Sequence, residues 1–149
     1  MAAVFRNQYP FSDVGKRIGG NVGLNIKLGE EDSTQGFTNS CAIIMSYALN
    51  YSYVKIERGP WKTLSGSDKS WYIFRVKDLI PYLRYKFGAP DKIVKNPVMG
   101  DFSNMKGILV LTVDSWNDAS GHAALWNGLT CSNHCYFPQA TEAAIWLLK

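Results

Sequence analysis

Asn39-Ser40-Cys41-Ala42-Ile43-Ile44-Met45-Ser46-Tyr47-Ala48-Leu49-Asn50 is the stretch from which the rest of the chain is read. Apolar residues fall at 42 to 45 and at 47 to 49, too densely for one amphipathic stripe, so the spacing predicts a core helix with protein on most sides. Asn39 or Ser40 suits the N-cap, because its side-chain oxygen can accept from an N–H that the first turn leaves without a helical partner. Cys41 then falls in the first turn. There the positive end of the helix dipole and the free backbone donors favour thiolate over thiol, which makes the sulfur a nucleophile near neutral pH. A cysteine so placed can equally be a small buried hydrophobe, and this stretch alone leaves both readings open.

Upstream of it, residues 23–37 carry no apolar period and read as a loop delivering the helix N-terminus, the kind of loop that commonly borders a site. Residues 12–18 show a cap and a short helical pattern halted by Gly19-Gly20. Downstream, residues 53–68 mix Gly59-Pro60 with Ser65-Gly66-Ser67 and read as an irregular excursion. Residues 71–76 are aromatic and β-branched, hence a strand. A second long helix is expected over 78–87, with Pro81 tolerated only near its start and Gly88 as its stop. Residues 92–94 form a short edge-like strand, and 97–106 a loop. The run from Gly107 to Val113 is apolar throughout and of strand length, so it is expected in the middle of a sheet, buried on both faces. Residues 121–130 read as a strand, a two-residue Asn127-Gly128 turn and the start of a return strand, and 143–148 as a closing strand. Helices first and an antiparallel sheet afterwards make an α+β chain.

With 149 residues and 46% hydrophobic content, one domain over residues 1–149 with a real core is expected. The thirteen glycines and six prolines are spread out, with no low-complexity block or internal repeat. No apolar run approaches the length of a membrane span, so no membrane partner is expected. The first ten residues lack an apolar segment behind a basic start, which argues against a Sec signal and for a soluble chain made in the cytoplasm. A net charge of +4 and a pI near 9.0 come from singly scattered lysines and arginines rather than a basic stripe, so nucleic acid is not an expected partner.

Three cysteines divide unevenly, Cys131 and Cys135 lying close together and Cys41 alone. That is the pattern of one disulfide and one free thiol. A metal site competes, since Cys131, His134 and Cys135 offer two thiols and an imidazole, although their spacing is not one of the usual zinc spacings. The hairpin makes a further geometric prediction. If Asn127 and Gly128 are the whole loop, the numbers of paired residues add to 255 and His122 lies opposite Asn133. An amide there would accept from one imidazole N–H, fix the tautomer, and leave the other nitrogen for a nucleophile. Cys41, His122 and Asn133 then make a Cys-His-Asn device for acyl transfer. His122 alone could be a structural histidine. His134 is one residue out of phase, and Asp114 and Asp118 read as loop carboxylates, Asp118 being a secondary candidate for orienting His122. A Cys131–Cys135 bond would also require the chain to turn or bulge near Asn133, because an extended strand would separate the two by about 13 Å.

These residues carry a resemblance. Asp13-Val14-Gly15 through Gly19-Gly20-Asn21-Val22-Gly23, Asn39-Ser40-Cys41 with Met45-Ser46-Tyr47, Tyr72-Ile73-Phe74-Arg75-Val76, Gly121-His122 with Leu125-Trp126-Asn127-Gly128, and Cys131-Ser132-Asn133-His134-Cys135 resemble, in the same order, the fourth family of type VI secretion amidase effectors. The resemblance implies a papain-like NlpC/P60-type fold and an endopeptidase that cuts peptidoglycan stem peptides between γ-D-glutamate and meso-diaminopimelate. It implies delivery by a type VI apparatus into the periplasm of a rival cell, and a cognate immunity protein. The family's nucleophile maps onto Cys41, its base onto His122 and its disulfide onto Cys131 and Cys135. Its third catalytic residue, usually aspartate, maps onto Asn133, so an amide stands where the family usually has a carboxylate. An oxidising destination would also account for a disulfide in a chain read as having no signal peptide.

The expected chemistry is that of a bacteriolytic cysteine amidase, with the Cys41 N–H as oxyanion donor and Arg17 a candidate for binding a stem-peptide carboxylate. No cofactor and no metal are implied. The rival readings are a housekeeping NlpC/P60-like peptidase or acyltransferase, and a non-catalytic wall- or nucleic-acid-binding module supported only by the basic pI.

Overall fold

The computed structural model describes residues 17, 19, 41–52, 54–113, 121–132 and 137–148. The chain divides into two compact units, Met1–Arg75 and Val76–Lys149. It combines helices with antiparallel sheets, the α+β class expected.

In the first unit the expected core helix is present as α1, Cys41–Asn50, and all ten residues are buried. That agrees with an apolar pattern too dense to leave a wet face. The expected cap residues, Asn39 and Ser40, lie outside the described residues, as do most of residues 12–18. The excursion after α1 contains a strand that the sequence did not announce, because three residues are too few to show alternation. This β1, Thr63–Ser65, pairs antiparallel with β2, Trp71–Ile73, in the register Thr63↔Ile73 and Ser65↔Trp71. The intervening turn is closed by Gly66 N–H donating to Ser70 O at 3.0 Å and Lys69 N–H to Gly66 O at 3.2 Å. β2 is shorter than the strand expected over 71–76, since Val76 already opens the next helix.

α1 packs against β2 through two buried polar side chains. Ser46 Oγ accepts from Ile73 N at 3.0 Å and lies 3.1 Å from Ile73 O, to which it can donate. Asn50 Nδ2 donates to Trp71 O at 2.8 Å, and Asn50 Oδ1 accepts from Ile56 N at 2.8 Å. Buried polar groups thus find partners, as a dry interior demands.

The second unit opens with α2, Val76–Phe87, which buries Val76, Asp78, Leu79, Tyr82 and Leu83 on one helical stripe and contains Pro81. Gly88 N–H donates to Arg84 O at 2.9 Å as the helix ends. A four-stranded sheet follows in the order β3-β6-β4-β5, formed by Lys92–Lys95 (β3), Gly107–Thr112 (β4), Gly121–Trp126 (β5) and Glu142–Leu147 (β6), with every pair antiparallel. β4 is flanked on both sides, as its unbroken apolar run requires. One face joins Leu109, Leu111, Ala124, Trp126, Ala143 and Ile145 into a core with Phe102, Cys131 and Phe137. The residues that alternate with them, Ile108, Val110, Ala123, Leu125 and Trp146, are buried as well. Both buried indoles have partners: Trp126 Nε1 donates to Phe102 O at 2.8 Å and Trp146 Nε1 to Gly88 O at 2.9 Å.

The expected two-residue hairpin after β5 is not formed. Trp126 bridges Cys131, so four residues make the turn, and Asn127 N–H donates to Thr130 O at 3.2 Å. Asn127 Oδ1 accepts from both Leu129 N and Thr130 N at 2.9 Å, and Gly128 takes φ +101°. The asparagine side chain stabilises a wider turn by satisfying two N–H groups that a tight hairpin would have used otherwise. The numbers of the bridged pair add to 257 rather than 255, so the arithmetic that set Asn133 opposite His122 fails by two residues. Of the expected return strand, the described residues retain this single bridge, supported by Ser132 N–H donating to Leu125 O at 2.8 Å.

Candidate active site

Cys41 is the first residue of α1, and its thiol is not disulfide-bonded and is buried, 4% exposed. No acidic residue stands in the first turn of α1. Nothing on the helix therefore opposes the effect of the first-turn N–H groups, which stabilise negative charge on a sulfur placed there. The backbone reason for this placement is local, an apolar segment that can only be buried, beginning at the cysteine.

His122 is the second residue of β5, 6% exposed, and pairs with Leu111 of β4. Strand alternation puts it on the face shared by Ala124 and Trp126, at the end of the row that packs the core. Every residue of β5 is buried although the strand lies at the sheet's edge. The preceding Gly121 is a position only glycine fits: a Cβ there would stand 2.2 Å from Leu111 O. That close approach lets β5 run tight against β4 and fixes the backbone that carries His122. The Gly-His dipeptide was in the sequence, but the requirement for glycine is visible only once β4 is beside it.

Cys131 is disulfide-bonded and buried, and belongs to the same core face as Ala124 and Trp126. The second unit thus brings His122 and Cys131 onto one face. Arg17 is helical and exposed. Asn133, His134 and Cys135, together with Asp114 and Asp118, lie outside the described residues. Among the described residues no group of three or more His, Cys, Asp or Glu side chains could hold a metal ion, and no helix is long and apolar enough to cross a membrane.

Past the C-terminal end of α1, Asp68 gathers two phenols. Its Oδ2 accepts from Tyr51 Oη at 2.6 Å and from Tyr72 Oη at 2.5 Å, while Oδ1 accepts from Ser70 N at 3.1 Å. Burial first, and then the hydrogen bond to Asp68, push the Tyr51 phenol up to about 12 and the Tyr72 phenol higher still. Both remain donors at any physiological pH, so they fasten the 66–70 turn rather than exchange protons.

A model of the family Tae4, type VI secretion system amidase effector protein 4, matches residues 37–147. The effector Tae4 from Salmonella typhimurium, solved in complex with the immunity protein Tai4 from Enterobacter cloacae, is 40% identical, with a TM-score of 0.85 over 99% of this chain and 95% of that one. Tae4 in the effector–immunity complex from Enterobacter cloacae is 37% identical, with a TM-score of 0.87 over 99% and 97%. A further crystal structure of the type VI effector Tae4 from Enterobacter cloacae is 38% identical, with a TM-score of 0.84 over 99% and 92%. No curated protein matches.

This chain belongs to the Tae4 family. It is an amidase effector of type VI secretion, a peptidoglycan hydrolase with the papain-like fold of that family, and it is secreted toward a target bacterium. The Tae4 match spans α1, where Cys41 stands, and β5, where His122 stands.

Proposed function

We propose that this Tae4-family chain kills by hydrolysing the amide between γ-D-glutamate and meso-diaminopimelate in peptidoglycan stem peptides, with Cys41 as nucleophile and His122 as base. The observation that carries this reading is Cys41, buried and outside any disulfide, at the first residue of α1 and inside the segment that matches an amidase family. His122 takes the thiol proton, and the sulfur of Cys41 attacks the amide carbonyl. The Cys41 N–H, at the start of α1, donates to the oxyanion that forms. The imidazolium then returns the proton to the leaving amine nitrogen of diaminopimelate as the C–N bond breaks. Water, deprotonated by His122, attacks the thioester, and Cys41 leaves as thiol with the free γ-carboxylate released. Asn133 orients His122 by accepting an imidazole N–H, an assignment that now rests on the family resemblance, since the hairpin register no longer supplies it. Cys131 pairs with Cys135, the one other cysteine of the sequence besides Cys41, which is not disulfide-bonded. Arg17, exposed and cationic, binds a stem carboxylate.

The site of action is the periplasm of the recipient, and a Tai4-like immunity protein protects the kin of the producing cell. Mass spectrometry of purified muropeptides after digestion tests the reading. Products that end in a free γ-D-glutamate and begin with a free diaminopimelate amine are expected. Cleavage elsewhere in the stem, or of the glycan, would overturn the bond assigned.

A further inference from the structure

We propose that Ser46 is a positioning residue for the Cys41 reaction, an inference that rests on Cys41 being the nucleophile. Within the apolar run of α1, Ser46 and Asn50 are four residues apart and so lie on one side of the helix, 0% and 2% exposed. Their partners on β2, Ile73 and Trp71, are two residues apart. Four helical residues advance about 6 Å and two strand residues about 6.7 Å, so the two repeats match. The helix thereby satisfies the edge of β2 that faces away from β1, with side chains in place of a third strand. Ile73 shows this most clearly, because its N–H and its carbonyl both meet the single Ser46 hydroxyl, at 3.0 and 3.1 Å.

The same hydroxyl reaches back into the first turn. Ser46 Oγ lies 2.8 Å from Ala42 O, so its one proton is shared between Ala42 and Ile73. Ala42 is covalently next to Cys41. A continuous chain of contacts, Ile73 to Ser46 to Ala42, therefore ends at the residue bonded to the nucleophile and ties the start of α1 to the strand. Removing the hydroxyl leaves the N–H and the carbonyl of Ile73 to find other partners, and the contact that joins β2 to the first turn of α1 is lost. Attack at a carbonyl is steep in position, a misplacement of about 1 Å costing roughly 10²-fold in rate.

The experiment compares Ser46→Ala with the wild type on purified muropeptides, together with the pH dependence of Cys41 alkylation by iodoacetamide in the folded protein. The expected result is a kcat lowered ten- to hundredfold with KM within about twofold, and an alkylation midpoint moved to higher pH as the thiolate loses its fixed surroundings. A Ser46 that only stabilises the fold would lower Tm and move neither kcat nor the midpoint, and that result overturns the proposal. Should Ser46→Ala not accumulate as folded protein, Asn50→Asp carries the test. It keeps acceptance from Ile56 N and loses the donor to Trp71 O, and a two- to fivefold fall in kcat is expected one turn further from Cys41; wild-type kcat would overturn the inference. Cys41→Ala separates the two levels. Cleavage that survives in Cys41→Ala removes the nucleophile assignment itself, whereas cleavage lost there but unchanged in Ser46→Ala removes only the role given to Ser46.

Discussion

Helix α1 and strand β5 each carry one residue of the proposed catalytic pair, and they hold it by different means. α1 is anchored through side chains: Ser46 and Asn50 bond the backbone of β2, and the rest of the helix is apolar and buried. β5 is anchored through its own backbone, paired with β4 along its whole length and pressed so close that Gly121 has no room for a Cβ. A side-chain anchor is spelled out in residue types and can be altered one atom at a time. A backbone anchor depends on the neighbouring strand and leaves in the sequence only a glycine.

The largest expected effect removes the pair itself. Cys41→Ala and His122→Ala should each lower muropeptide turnover by about 10³-fold or more while the circular dichroism spectrum stays that of the wild type, and the double variant should be scarcely worse than either single, since residues acting as a unit are not additive. A folded Cys41→Ala with normal turnover would break the comparison at its root.

Next, Gly121→Ala forces a Cβ against Leu111 O, so β5 must move off β4. A loss of about 1–3 kcal/mol in urea unfolding is expected from overpacking of this kind, with turnover falling beside it. Unchanged stability would show that β5 is not held by its closeness to β4. The disulfide at Cys131 should contribute about 2 kcal/mol for so short a loop. Intact mass after alkylation without reductant should show one modified cysteine, Cys41, and three modified cysteines would remove the pairing with Cys135.

Asn133→Ala should slow turnover about tenfold, the ~1.4 kcal/mol of one hydrogen bond to the imidazole. Asn133→Asp should keep activity or raise it and shift the pH optimum upward, because a carboxylate stabilises imidazolium. His134→Ala should do little. If His134→Ala is the crippled variant, the orienting group is His134 or a loop aspartate instead.

The smallest effect concerns the phenols past α1. Their folded pKa values lie above the unfolded value near 10, Tyr51 at about 12 and Tyr72 beyond it. The folded state then holds more protons than the unfolded state once pH exceeds about 10, so their contribution is complete below that pH and is lost as pH rises further. Tyrosinate absorbance should show two phenols titrating late, and Asp68→Asn should bring both down. Phenols that titrate with the remainder would mean that Asp68 does not hold the turn.

The sequence by itself determined what short-range periodicity and residue type can specify. The density of apolar residues made α1 a core helix with Cys41 at its start, the unbroken run from Gly107 made β4 an inner strand, and the lone cysteine beside a close pair pointed to a free thiol and a disulfide. Quoted motifs in order were enough to suggest the family. Tertiary structure decided the rest. β1 is a strand only because β2 lies beside it, since three residues carry no period of their own. The turn after β5 has four residues because the Asn127 side chain takes two N–H groups, a competition between side chain and ladder that the Asn-Gly dipeptide does not reveal. Register is set by such contacts between segments, and a shift of two residues leaves the hydrophobic alternation of a strand untouched, so no pattern along the chain could have exposed it.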